Sequence, residues 1–164
     1  MIKSDTVFII GAPRSGTNLL RDVLTSFEGI ETWPCDEINY IWRHGNAQFS
    51  SDELPVSKAN NFVKRYIRKS FQKAKKLYKA KILIEKTCAN SLRIPFVNSI
   101  FPNAIYIYIV RDGVDALVSA KTKQTSKKDI LYLLKKFRFV PLSDFPIYAW
   151  KFLKMRIFNF FSSK

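Results

Sequence analysis

A glycine-containing loop between a predicted strand and a predicted helix constrains the fold of this chain most. The apolar run at residues 7–10 is typical of a buried parallel strand and ends at Gly11. The segment GAPRSGTN then leads into a helical pattern over residues 16–27. Five apolar residues are spaced to share one face of that helix: Leu19, Leu20, Val23, Leu24 and Phe27. The sequence therefore predicts a strand, a glycine loop and a helix in direct succession.

The loop GAPRSGTN has the chemistry of an anion-binding cradle. Glycines let the backbone curl around an oxyanion, and the free amides and dipole of the following helix attract it. Arg14 lies inside the loop and can donate two parallel hydrogen bonds to a phosphate or sulfate. The spacing of Gly11 and Gly16 matches a nucleotide-binding P-loop, but Thr17 and Asn18 replace its Lys and Ser/Thr. A P-loop nucleotide kinase or NTPase is therefore one alternative, and a simple turn with a surface arginine is another.

The rest of the chain alternates predicted strands and helices. Residues 30–57 form a mixed connection with a short element near 37–43, and residue 125 onward is helix or loop, interrupted by Pro141 and Pro146. Between them we predict a basic amphipathic helix at 58–81, a strand at 82–84, a helix at 91–100, a strand at 104–110 and a helix from 112. Three predicted strands joined by helical crossovers indicate an α/β fold with a parallel sheet.

A second cation follows the strand at 104–110. Arg111 stands at the carboxyl end of this strand, the edge where open α/β sheets bind ligands. Ser119 lies two helical turns further on and can join Arg111 on a phosphate. The alternative is an arginine paired with Asp112 or Asp115 and a solvent-facing serine. Two anion sites at one sheet edge indicate a nucleotide with phosphate or sulfate groups at both ends.

Charge divides the chain into two unequal parts. The sequence has 28 Lys and Arg against 13 Asp and Glu, a net charge of +15. Residues 1–57 have a net charge of −4 and residues 58–164 one of +19. Ten of these cations lie in the helix at 58–81, which suits a polyanionic partner or an anionic acceptor, or is the solvated side of a core-packed helix. No zinc finger or RNA-binding motif supports specific nucleic-acid recognition.

Cysteine usage indicates a reducing compartment, and hydropathy bears on membrane segments. Cys35 and Cys88 are too few for a disulfide framework or a structural zinc site, so we expect a reducing, cytoplasmic location. We find no targeting segment in the sequence. The longest aromatic-rich run contains Lys151, Lys154 and Arg156, so we expect it not to span a membrane.

Three segments resemble the sulfotransferase family. GAPRSGTNLLRDVL resembles its 5′-phosphosulfate loop, IYIVRDGVDALVSAK its 3′-phosphate motif, and EKTCANSLRIPFVNSIFPNAIYIYIVRD the segment before that motif in bacterial and Golgi-type members. The Arg form of the loop is most similar to tyrosylprotein and bacterial members. The resemblance covers about residues 5–125 and departs at Gly113, where many relatives have Pro.

The resemblance implies a P-loop-NTPase-like three-layer α/β/α fold and a metal-independent transfer from 3′-phosphoadenosine 5′-phosphosulfate to a hydroxyl or amine. It implies that Arg14 contacts the phosphosulfate and stabilises charge on the leaving oxygen. Arg111 and Ser119 would hold the 3′-phosphate. The remaining donor-binding residues implied are those of the loop: Pro13, Ser15, Gly16, Thr17 and Asn18.

The transfer also needs a base that takes the proton of the acceptor. Glu37, after the first helix, is the candidate because Golgi-type sulfotransferases place a glutamate at a similar point. Asp36 and His44 are the alternatives. Lys86 and Arg93 are weaker candidates for the cleft and the 3′-phosphate side, and a solvated cation is the simpler interpretation of each.

Chain length adds one further expectation. The family's catalytic domain is usually longer, so residues 1–164 are interpreted as a single, partial, C-terminally truncated domain with an exposed strand edge. A non-catalytic truncated relative that binds polyanions is therefore a further alternative. The acceptor is left open among a polysaccharide, a lipid, a small alcohol and a peptide tyrosine.

Overall fold

The computed structural model describes residues 4–124 and 138–162 as strands, helices and connecting loops. The strands are β1 Thr6–Gly11, β2 Ile30–Thr32, β3 Ile82–Glu85 and β4 Ile105–Ile109. The helices are α1 Thr17–Leu24, α2 Asn39–Trp42, α3 Asn61–Tyr78, α4 Ile94–Ile100, α5 Gly113–Gln124 and α6 Phe145–Ser162. Short 3₁₀ turns lie at Val56–Lys58, Cys88–Leu92 and Leu142–Asp144.

The four strands form one parallel sheet in the order β2-β3-β1-β4. Phe8 in β1 lies opposite Glu85 in β3 and Tyr106 in β4. This arrangement confirms the predicted α/β class with a parallel sheet. The sequence predicted three strands and missed β2, which is only three residues long and half-buried.

One side of the sheet, called here the closed face, packs against α3 and α4. Its core includes Phe8 from β1, Leu83 from β3, Phe71 from α3 and Phe96 from α4, all at most 1% exposed. The rings of Phe71 and Phe101 pack with centroids 4.7 Å apart and planes inclined by 48°. Interlocking aromatic rings of this kind supply most of the buried apolar area of a small domain.

The opposite side, called here the open face, is covered mainly by α1. It buries Val7, Ile9 and Ile84, against which Leu20 and Leu24 of α1 pack. The helix α1 ends at Leu24 rather than at residue 27. The other three apolar residues of the predicted helix face are exposed: Leu19 at 70%, Val23 at 51% and Phe27 at 60%. Only Leu20 and Leu24 pack against the sheet, so the apolar residues that the helical spacing groups together extend beyond the covered part of the helix.

The basic helix α3 is a core helix with a charged outer side. Its buried residues are Val63, Ile67, Phe71 and Ala74, a spacing that follows one helical face. Two apolar residues of the same helix, Phe62 and Leu77, are exposed. The side chain of Asn60 accepts a hydrogen bond of 3.0 Å from the amide of Val63 and caps the helix.

The described carboxyl-terminal part is helical despite its prolines. Pro146 is the second residue of α6, where a missing amide proton costs nothing, and Pro141 precedes a 3₁₀ turn. None of the helices within residues 4–124 and 138–162 is long and apolar enough to cross a membrane. The helix-or-loop prediction for residues 125–137 lies outside the described residues.

Candidate functional site

The glycine loop connects β1 to α1 through a strained turn. A Cβ atom on Gly11 would approach Cγ2 of Thr17 to 2.9 Å, so this position needs a residue without a side chain. Gly16 has φ 92°, which glycine adopts freely. Arg14 has φ 71°, a left-handed conformation that is uncommon outside glycine and that proteins retain chiefly at functional sites. This backbone conformation sets the direction in which the Arg14 side chain leaves the loop.

The two predicted anion motifs meet at the carboxyl edge of the sheet. Nε of Arg14 donates a hydrogen bond of 3.0 Å to Oγ of Ser119 in α5. A guanidinium nitrogen of Arg111 donates to the backbone carbonyl of Arg14 over 3.2 Å. The loop before α1 and the strand–helix unit β4–α5 are thus in direct contact, and their cations face the same space.

Asp112 and Asp115 have separate roles at the start of α5. The carboxylate of Asp112 accepts hydrogen bonds from the amides of Val114 and Asp115, so it caps the helix. Asp115 lies 3.9 Å from the guanidinium of Arg111 in an exposed pair. Such a pair contributes little in water, and Arg111 keeps donors for a phosphate.

Glu37 lies beside the carboxyl end of β3. Its Oε1 accepts a hydrogen bond of 3.3 Å from the amide of Cys88 and lies 3.8 Å from Nζ of Lys86. The Lys86 side chain is only 4% exposed, so this cation is held inside the protein against a carboxylate. Burial raises the pKa of the Cys88 thiol. The arrangement places a potential base and a fixed positive charge side by side.

These groups surround one cleft of about 370 Å³, a volume within the range of small-ligand sites. Its walls combine the glycine loop, the Glu37 segment, the end of β3 and the start of α5. The lining residues are Pro13, Arg14, Gly16, Thr17, Asn18, Asp36, Glu37, Lys86, Cys88, Arg111 and Ser119. Nearly all of the predicted site residues thus line a single cleft.

Ser15 and Asn18 of the glycine loop each have a side chain that is at least partly buried. Ser15 is buried at 8% exposure and lies behind the cleft lining, with its amide bonded to the carbonyl of Ala12. Oδ1 of Asn18 is buried and has no hydrogen-bond partner within the described part of the chain. Because Oδ1 is an acceptor, a hydrogen-bond donor such as a ligand hydroxyl could satisfy it.

The alternative bases occupy different surroundings. Asp36 lines the cleft, but its Oδ1 accepts a hydrogen bond of 2.9 Å from Arg21. His44 is buried outside the cleft lining, where its Nδ1 lies 2.9 Å from Asp144 and its ring stacks on Tyr66 with centroids 3.7 Å apart. Of the three predicted bases, Glu37 and Asp36 line the cleft and His44 does not.

Arg93 differs from both interpretations that the sequence offered. It is 1% exposed and does not line the cleft, so it is neither solvated nor placed at a phosphate. Its Nε donates to Oδ1 of Asn90 over 2.9 Å, and it donates to Oδ1 of Asn39 over 2.6 Å. Burial lowers the pKa of Arg93 to about 10. Arg93 is therefore an internal cation of the folded chain.

Residues 85–88, at the carboxyl end of β3, contribute more to the site than the sequence predicted. Lys86 was a weak candidate, and Cys88 and the acidic Glu85 were not singled out. Their signal was the position of EKTC directly after a predicted strand, since residues at that edge of a parallel sheet face the ligand cleft. Among residues 4–124 and 138–162, no group of three or more His, Cys, Asp or Glu is placed to hold a metal ion.

The fold is a parallel α/β sheet with this cleft at its carboxyl edge. The model of the sulfotransferase family matches residues 6–140 of the chain. That range includes the glycine loop, Glu37, the end of β3 and the Arg111 motif. The chain therefore belongs to the sulfotransferase family, which supports sulfuryl transfer in general. No curated protein matches the chain.

Proposed function

We propose that this chain transfers a sulfuryl group from 3′-phosphoadenosine 5′-phosphosulfate to a hydroxyl or amine acceptor. One observation supports this proposal most: Arg14, Arg111, Lys86 and Glu37 line the same cleft at the carboxyl edge of the sheet. The three cations suit a donor with anionic groups at both ends, and the carboxylate suits a base. Membership of the sulfotransferase family supports the reaction class.

In this proposal the glycine loop binds the 5′-phosphosulfate end of the donor. Arg14 stabilises the charge that develops on the leaving oxygen, and the amides at the start of α1 contribute donors. Gly16, Thr17 and Asn18 form the cradle, Pro13 forms its rim, and Ser15 supports it from behind. Arg111 and Ser119 bind the 3′-phosphate, where Ser119 also positions Arg14 through their mutual hydrogen bond.

Glu37 acts as the base in the same scheme. The acceptor oxygen attacks sulfur as its proton passes to Glu37, and the bond between sulfur and the bridging oxygen of the donor breaks. The products are the sulfated acceptor and adenosine 3′,5′-bisphosphate. Lys86, beside Glu37, offsets negative charge on the group in transfer. Positioning and charge stabilisation account for most of such a reaction, as in phosphoryl transfer, and the scheme uses no metal.

The remaining expectations accompany this proposal. No disulfide involves Cys35 or Cys88 in the described part of the chain, which agrees with a cytoplasmic location. The Arg form of the loop agrees with the tyrosylprotein, bacterial and Golgi-type branch. The acceptor is a hydroxyl compound such as a polysaccharide or lipid. The P-loop kinase or NTPase alternative has less support because Thr17 stands in place of the lysine that contacts nucleotide phosphates.

A transfer assay with radiolabelled donor tests the proposal. Panels of polysaccharide, lipid, small-alcohol and tyrosine-peptide acceptors are compared for wild type, Glu37→Gln and Glu28→Gln. Glu28 is an exposed carboxylate outside the cleft and provides the matched control. We expect Glu37→Gln to reduce the transfer rate by about 100-fold or more, the usual contribution of a general base. Glu28→Gln should transfer at the wild-type rate.

Two outcomes would contradict the proposal. If wild type transfers sulfate to none of these acceptors but binds heparin, and Arg14→Ala binds heparin equally well, the non-catalytic polyanion-binding alternative holds. If wild type turns over ATP in a magnesium-dependent manner without sulfate transfer, the chain is an NTPase. An equal rate for Glu37→Gln and wild type would move the base to another residue.

A further inference from the structure

The carboxyl end of β3 buries an acidic side chain that the proposed reaction does not use. Glu85 is the last residue of β3 and is 1% exposed. Burial raises the pKa of Glu85 to about 7. Enclosing a carboxyl group costs free energy unless hydrogen bonds compensate it, so a buried glutamate outside the cleft lining calls for an explanation. Its hydrogen-bond partners provide one.

The first connection from Glu85 leads to the backbone next to Glu37. Oε1 of Glu85 accepts a hydrogen bond from the hydroxyl of Thr87. The same hydroxyl oxygen accepts a hydrogen bond of 3.2 Å from the amide of Ile38. Because the hydroxyl donates to Glu85, its lone pairs are directed at Ile38, the residue after Glu37. Thr87 is fully buried, so water cannot replace either bond.

A second connection reaches the following residue. Oε2 of Glu85 accepts a hydrogen bond of 2.8 Å from Nδ2 of Asn90. Oδ1 of Asn90 accepts from Nε of Arg93, and Arg93 donates onward to Oδ1 of Asn39. Asn39 is the first residue of α2. The two carboxylate oxygens of Glu85 are therefore linked to the two residues that follow Glu37.

The side chain of Glu37 is held by the same short segment. Lys86 and Cys88 contact its carboxylate from within the cleft, while Glu85 and Thr87 lie buried behind them. Alternate residues of an extended segment point to opposite sides, which explains this division. One side of the segment contacts the Glu37 carboxylate, and the other side fixes the Glu37 backbone.

We propose that Glu85 is a positioning residue that fixes Glu37 in the cleft, acting through the Thr87 hydroxyl and through Asn90 and Arg93. This inference rests on the proposed function, since it assigns Glu85 a role in aligning the base. A base displaced by about 1 Å from its productive position can lose about 100-fold in rate. A link of two hydrogen bonds between the strand end and the Glu37 segment would prevent such a displacement.

Thr87→Val and Thr87→Ser form the matched pair that tests this role. Valine has the shape of threonine but removes both hydrogen bonds, whereas serine keeps the hydroxyl. We expect Thr87→Val to lower kcat by about tenfold or more, with Thr87→Ser restoring it to within about threefold. The Kd for adenosine 3′,5′-bisphosphate should stay within about twofold in both variants, because the glycine loop and the Arg111 motif are untouched.

Amide hydrogen exchange gives a readout that does not depend on activity. In Thr87→Val the Ile38 amide loses its acceptor, so its exchange should accelerate relative to wild type and Thr87→Ser. Asn39→Ala provides a second variant at a half-buried position, should Thr87→Val fail to fold. It severs the second connection, and we expect a lower kcat with an unchanged bisphosphate Kd.

The outcomes separate this inference from the proposed function. Unchanged Ile38 exchange and unchanged kcat in Thr87→Val would overturn the positioning role. A loss of kcat accompanied by an equal loss of bisphosphate affinity would also overturn it, because that pattern reports general damage to the fold. A wild-type protein without bisphosphate binding or sulfate transfer would refute the proposed function. The exchange of Ile38 in Thr87→Val would still decide whether the Thr87 hydroxyl, which joins Glu85 to Ile38, holds the Glu37 segment.

Discussion

The two faces of the sheet differ in how completely the described helices cover them. The closed face, against α3 and α4, has a core of many fully buried residues centred on Phe71. The open face buries Val7, Ile9 and Ile84, but Leu19 of its covering helix α1 and Phe27, just after that helix, are exposed to solvent. The stability of the chain and its proposed chemistry therefore come from different parts of the molecule. The closed face supplies packing, and the loops at the carboxyl edge supply the site.

The largest expected contrast is between Phe71 in the closed-face core and the exposed Phe27, which follows α1. Phe71→Ala removes a ring at the centre of the closed-face core and should lower the free energy of unfolding by about 3–5 kcal/mol. Phe27→Ala should change it by less than about 0.5 kcal/mol, because that ring is exposed. Urea unfolding of both variants measures the contrast. Similar losses for the two variants would show that the open face is covered in solution.

The second contrast concerns pH, because the closed face ends in the buried carboxyl of Glu85. Below pH 4.5 this group is protonated in both states; as the pH rises the unfolded chain ionises first, and the folded chain follows at about 7. The contribution of Glu85 therefore falls by about 3 kcal/mol across this window and stays low above it. Stability measured from pH 4 to 8 should fall less steeply for Glu85→Gln than for wild type, whereas Glu28→Gln should follow wild type. Parallel curves for Glu85→Gln and wild type would contradict the assigned burial.

A third contrast is between the amino-terminal caps of α3 and α1. Asn60 caps α3 with its side chain, whereas α1 begins at Gly16 without a side-chain cap. Asn60→Ala should cost about 1 kcal/mol of stability. Gly16→Ala should disturb the loop instead, because a Cβ atom disfavours φ 92°. Thermal unfolding and bisphosphate binding of both variants distinguish the effects: the first should lose stability only, and the second should also lose affinity.

The smallest expected effect is at the exposed side of α1. Leu19→Ser should leave the free energy of unfolding unchanged within about 0.5 kcal/mol, because the side chain is 70% exposed. It should also reduce self-association, since exposed apolar residues on neighbouring elements promote contact between molecules. Light scattering against concentration measures this. Equal scattering by Leu19→Ser and wild type would show that α1 takes no part in association.

The sequence predicted local features of the fold better than long-range ones. The strand, loop and helix around Arg14 and the strand before Arg111 follow from residue type and spacing, which act within a few residues. The spacing of the five apolar residues in the predicted first helix does not show which of them face the sheet, because together they cover a wide part of the helix circumference. The connection of Glu85 to Ile38 joins residues 47 positions apart in the sequence, so only the folded chain shows it.

The candidate site shows the same division. Arg14, Arg111 and Ser119 were predicted because each lies in a recognisable motif at a strand end. Lys86 was undervalued because its partner, Glu37, comes from a distant segment. Arg93 resembles a solvent-exposed cation in the sequence, and its burial depends on Asn39 and Asn90, which only the fold places around it.

Binding of adenosine 3′,5′-bisphosphate tests the central claim most directly, because it requires both anion motifs in one cleft. Isothermal titration calorimetry on wild type, Arg14→Ala, Arg111→Ala and the exposed control Arg65→Ala provides the measurement. We predict that wild type and Arg65→Ala bind equally, and that each of the other two variants weakens binding by about tenfold or more. Absence of binding by wild type, or equal binding by all four proteins, would contradict the account.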